Sequence, residues 1–144
     1  MKIWSDDFQN GGELGKKFSC EGEGVCPSLA WSEIPQGAKS LAVSVVDPDA
    51  PGGNFIHWLA VNIPISRTET GSGEAVGLEL INSGGGKEYV PACPPTGKHR
   101  YIFTIYALNI EELKIDTSAD FFASIGSYTI EKTEIIATYQ KSQL

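Results

Sequence analysis

Apolar residues recur along this chain in short runs separated by clusters of Gly, Pro, Ser and Asp. Residues 40–46 (SLAVSVV) are rich in β-branched side chains and bounded by turn formers, which predicts a central strand. Residues 56–63 (IHWLAVNI) form the next. Strict alternation would put His57, Leu59, Val61 and Ile63 on one face and Ile56, Trp58, Ala60 and Asn62 on the other. Both faces are mostly apolar, so the strand is predicted to be covered on both sides. A third long run, 99–108 (HRYIFTIYAL), sets His99, Tyr101, Phe103 and Ile105 on a common face. Residues 29–31 and, more weakly, 16–20 are short strand candidates. In the tail the period lengthens. Residues 117–125, capped by Asp116 or Thr117, and again 129–139 (TIEKTEIIATY) carry helical spacing, the latter with Ile130, Ile135, Ile136 and Tyr139 as its stripe.

These elements predict a mainly β protein, and 144 residues suffice for one domain, 1–144, with its own core. Sixteen Gly and eight Pro favour a turn-rich β architecture over a helical bundle. The Gly-rich stretches 68–77 and 82–88 are predicted to be mobile surface loops. Eighteen acids against eleven bases give a net charge of −7 without any Lys/Arg cluster, which argues against nucleic acid as a partner. No run is apolar enough for a membrane span, and the start of the chain lacks the apolar segment of a signal peptide; a cytoplasmic protein without integral membrane association is expected. Cys20, Cys26 and Cys93 are odd in number and lack CxxC spacing, which predicts reduced thiols, with a Cys20–Cys26 bridge as the alternative.

Candidate chemistry concentrates in 47–58 (DPDAPGGNFIHW). Residues i and i+2 of an extended chain project to one side, so Asp47 and Asp49 are predicted to point into one space, stiffened by Pro48 and Pro51. If His57 and His99 converge there, three sites are open. A metal site lacks HxH or HExxH spacing. A hydrolase lacks a nucleophile elbow around Ser40 or Ser44, and Cys93 sits among prolines. An anion pocket fits better: imidazoles whose pKa values are raised by the neighbouring aspartates would donate N–H groups, joined by the Tyr101 hydroxyl. No metal or cofactor is expected.

With DPDAP and HW at 47–58, and PP with HRY at 94–101, the chain resembles the phosphatidylethanolamine-binding protein family, in its short bacterial and archaeal Raf kinase inhibitor-like branch. FSCEGEGVCPSLAW and IEKTEIIATY are similar to the family's opening and its closing helix. The resemblance implies two antiparallel sheets in Greek-key order with a C-terminal helix, and a small pocket for phosphate-like groups. Matched by position, that pocket is lined by Asp47, Asp49, His57, Pro94, His99 and Tyr101, with Pro51 shaping the loop through a cis Ala50–Pro51 bond. It implies a nonenzymatic binding or regulatory protein whose ligand is a phosphorylated small molecule or phospho-headgroup. Inhibition of a serine protease or a kinase through surface loops is the alternative. Pro91, Ala92, Cys26 and Tyr128 depart from the family's pattern.

Overall fold

In the computed structural model, which describes residues 1–142, two antiparallel sheets and one helix account for most of the chain. The smaller sheet is built from β1 (Lys2–Trp4), β2 (Leu29–Ser32) and β5 (Glu69–Thr70), in the order β1-β2-β5. The larger contains β3 (Ser40–Asp47), β4 (Phe55–Ile63), β6 (Leu78–Glu79), β7 (His99–Leu108) and β8 (Thr129–Tyr139), in the order β6-β4-β3-β7-β8. The helix α1 (Ser118–Tyr128) begins where Thr117 accepts a hydrogen bond from the Asp120 amide, as its capping position predicts.

The larger sheet is apolar on both faces because each face has its own cover. On one side, Leu41, Val43 and Val45 of β3 join Phe103 and Ile105 of β7 and Trp31 of the smaller sheet. On the other, Leu59, Val61, Tyr106 and Leu108 meet Phe121 and Ile125 of α1. Fully burying one such side chain contributes about 1.5–3 kcal/mol, so the central strands anchor the molecule from both sides.

Three expectations fail here. Residues 129–139 are a strand, paired along the whole of β7 from His99↔Tyr139 to Leu108↔Thr129. Six of these eleven residues are Thr or Ile, whose branching stiffens χ1 and suits a pleated surface, while Ile135, Ala137 and Tyr139 are buried at intervals of two. Ile130, a member of the supposed helical stripe, is 42% exposed. Residues 16–18 form a turn of 3₁₀ helix, not a strand.

Alternation along β4 is also broken. β3 and β4 pair Val45 with Trp58 but Val46 with Ile56, which leaves His57 as an extra residue, a β-bulge. A second irregularity follows between the Leu41–Ile63 and Val43–Ala60 pairs. There Asn62 adopts φ 58° and its side-chain amide exchanges two hydrogen bonds with the Leu113 backbone. Ile56 therefore packs on the helix side, whereas Trp58, Ala60 and Ile63 face the smaller sheet.

Candidate functional site

At one end of the larger sheet, the ends of β3, β4 and β7 and the segment 90–95 enclose a cavity of about 240 Å³. Asp47, Pro51, His57, Pro94, His99 and Tyr101 line it, together with Ala50, Phe55, Val90, Pro91, Cys93 and Pro95. A wider hollow of about 710 Å³ lies between residues 13–16 and 138–142, but its charged side chains, Glu13, Lys16 and Lys141, are solvent-exposed. The smaller cavity is the one lined by a buried carboxylate and two buried imidazoles, Asp47, His57 and His99.

Asp47 ends β3 and is 3% exposed. Its Oδ1 accepts the Asp49 amide at 2.7 Å and its Oδ2 accepts His99 Nδ1 at 2.7 Å. Both carboxylate oxygens are thus occupied, as burial of a charge requires. Since Nδ1 of His99 carries the proton toward Asp47, its Nε2 is the ring nitrogen left for the cavity.

The bulge in β4 turns His57 from the helix side toward Tyr101, whose ring meets the imidazole edge-on at 5.2 Å. His57 Nδ1 donates to the Val90 carbonyl at 2.7 Å, and the Val90 amide donates back to the His57 carbonyl at 2.9 Å. This fixes the tautomer and leaves Nε2 free of any described partner. Burial lowers the His57 pKa, against the opposing influence of the Val90 carbonyl and Asp47. The expectation of a raised value is therefore overturned for His57: the ring is 5% exposed, and no carboxylate hydrogen-bonds to it to offset desolvation.

Tyr101 is 1% exposed, and its hydroxyl has no hydrogen-bond partner. Burial raises its pKa, and Asp47 adds to the effect, so the phenol stays protonated. Unpartnered buried polar groups are rare enough in folded proteins to require an explanation.

Asp49 does not join the cavity. Its carboxylate takes the Arg100 backbone amide and Nε at 2.9 Å each, and Nη2 at 2.8 Å. The two acids part because Asp47 uses its side chain to close the turn on the Asp49 amide, which swings Asp49 onto the start of β7. Asp49 clamps the turn in place and is not among the residues that line the cavity. No peptide bond is cis among the described residues, so the Ala50–Pro51 bond is trans and Pro51 lines the wall without it.

The opposite wall, 89–95, is held at several points. Tyr89 donates to the Phe18 carbonyl at 3.0 Å, the Cys20 amide to the Ala92 carbonyl at 3.0 Å, and a disulfide joins Cys20 to Cys93. Gly24, at φ +73°, lies where a Cβ would come within 2.7 Å of Pro91, so only glycine lets the loop approach this closely. The bridge corrects the expectation of reduced thiols. Cys26 alone is free, and it is buried. Disulfides persist mainly in oxidising compartments, so cysteine usage no longer supports a cytoplasmic location. Spacing gave no signal for a pair 73 residues apart.

Among the described residues, no group of three or more His, Cys, Asp or Glu is placed to hold a metal ion, and no helix is long and apolar enough to cross a membrane.

A two-sheet β protein with a proline-walled cavity at one sheet end, largely apolar but holding a few buried polar groups, is the class that fold and site define. The family model for phosphatidylethanolamine-binding protein matches residues 4–140, and the chain belongs to that family. It is 34% identical to a UPF0098 protein of Chlamydia pneumoniae, over 99% of this chain and all of that one. Among solved structures it superposes on a phosphatidylethanolamine-binding protein homologue from Chlamydia trachomatis with a TM-score of 0.91 and 32% identity, covering 97% of both chains. YbcL of Escherichia coli, described as a member of the mammalian family, also gives 0.91, at 31% identity over 98% of both.

Proposed function

We propose that the cavity binds a phosphate-like oxyanion, borne by a small phosphorylated molecule or a phospho-headgroup, and that the protein acts by binding and not by catalysis. The observation that carries this is the Tyr101 hydroxyl, buried in the cavity wall without a partner. An incoming oxyanion gives that donor an acceptor and stands within the same enclosure as the free Nε2 atoms of His57 and His99. The volume supports a small group: about 240 Å³ is below the roughly 300–1,000 Å³ of common small-molecule pockets. The pinned proline wall supports binding without a large ordering cost. A nonenzymatic role is supported by the lining: among the described residues there, none is Ser or Thr, and the Cys93 sulfur is already bonded. The name of the family, which attaches phosphatidylethanolamine to its members, supports a ligand that carries a phosphoryl group.

Titration of ¹⁵N-labelled protein with phosphoethanolamine tests this. Saturable shifts confined to His57, His99, Tyr101 and the 90–95 wall are the expected result. Unmoved signals from both imidazoles at millimolar ligand would refute it.

A further inference from the structure

The hydrogen-bond polarity of the cavity is unequal. Tyr101 offers a donor without a partner. His57 offers the reverse: its Nδ1 proton is committed to the Val90 carbonyl, which leaves a lone pair at Nε2. Nothing nearby readily turns that lone pair into a second donor. Facing His57 are Tyr101 and His99 from β7 and Asp47 from the end of β3, and Asp47 is hydrogen-bonded to His99, not to His57. Burial works against a charged His57, as does the charge of a protonated His99. Among the described lining residues there is no Lys or Arg, and Arg100, the neighbouring cation, is spent on Asp49.

An oxyanion whose oxygens are all acceptors would set one of them against the His57 lone pair. An oxyanion carrying an O–H can donate there while its bare oxygens accept from Tyr101. Resting on the oxyanion reading above, we propose that the cavity selects phosphate monoesters in their singly protonated form, the P–OH donating to His57 Nε2, and discriminates against acceptor-only oxyanions, both sulfate esters and phosphodiesters. The ligand class is thereby narrowed. A free phosphomonoester fits, whereas the diester linkage of an intact phospholipid headgroup has no proton to give.

Three small probes separate these classes without a second charged group: methyl phosphate, methyl sulfate and dimethyl phosphate. All three carry one negative charge when methyl phosphate is a monoanion, and only methyl phosphate has a P–OH. In NMR titrations at pH 6, methyl phosphate is expected to bind at least tenfold more tightly than either of the others. Its apparent affinity should fall about fifty-fold from pH 6 to pH 8, as the monoanion is depleted above a second pKa of about 6. Any other pH-dependent change in the cavity would affect all three singly charged probes alike, which isolates the P–OH contribution. The ³¹P signal of bound methyl phosphate at pH 8 gives an independent readout, expected at the monoanion position although the free ligand is a dianion. A bound signal at the dianion position would overturn the proposal, as would equal affinity for methyl sulfate; in either case the oxyanion site itself would stand. Absence of binding by all three, and by phosphoethanolamine, would overturn both.

Discussion

Replacing Tyr101 by Phe removes one oxygen and should change stability and binding in opposite directions. A buried hydroxyl with no partner costs about 1–3 kcal/mol relative to its hydrated state in the unfolded chain. Tyr101 is 1% exposed and its hydroxyl is unpartnered, so the free protein bears that cost. The ring, packed edge-on to His57, is retained in the variant, and the void left by one oxygen returns part of the gain. Net stabilisation of about 1 kcal/mol is expected, a rise in Tm of roughly 3–4 °C for a chain of this length. With ligand the sign reverses. Loss of a hydrogen bond to a charged acceptor, worth about 1.5–3 kcal/mol, weakens phosphoethanolamine binding by roughly 10- to 100-fold. Thermal unfolding followed by circular dichroism without ligand, beside an NMR titration, measures both. A Tyr101→Phe variant that is less stable than its parent and binds phosphoethanolamine unchanged would show that the hydroxyl serves the fold and not the ligand.

Cys20→Ser opens the bridge to Cys93 while leaving the cavity-lining sulfur in place. For a loop closed across 73 residues the chain-entropy treatment gives a loss of about 4.4 kcal/mol. It is measured as a lower urea midpoint that reducing agent reproduces in the parent and does not alter in the variant. The Arg100 guanidinium bonded to Asp49 holds that carboxyl down to about 2. A depressed acid favours the folded state above its unfolded pKa of about 3.9, and the benefit fades as pH falls toward 2. Because the Arg100 side chain is 54% exposed, solvent screens the pair and its contribution is small. The stability difference between parent and Asp49→Asn should therefore shrink between pH 4 and pH 2; a gap unchanged across that window would contradict the ion-pair account.

The strands that build the site were legible because their sequences satisfy two demands at once. Residues 40–46 and 99–108 are rich in β-branched or aromatic side chains, and each is bounded by turn residues. The grouping of Asp47, His57, Pro94, His99 and Tyr101 in one cavity followed from motif resemblance; no local periodicity encodes it. The misreading of 129–139 has a physical source. In an eleven-residue stretch with Ile135 and Ile136 adjacent, a few apolar positions satisfy either period, and pairing with β7 decided the outcome. Asp49 was misplaced because an i, i+2 rule for extended chain does not hold where the Asp47 side chain folds the turn back on itself. The disulfide, the Val90 contact and the bulge depend on segments far apart in sequence, and nothing local announces them.

The bulge at His57 also bears on how relatives should be compared. A histidine aligned with His57 need not occupy the cavity: if a relative's β4 ran without the extra residue, the same letter would point its imidazole at the helix. Retention of the site across such proteins is thus a matter of strand count at one position as well as of residue identity. Transplanting the cavity into another scaffold would have to carry that local kink along with the side chains.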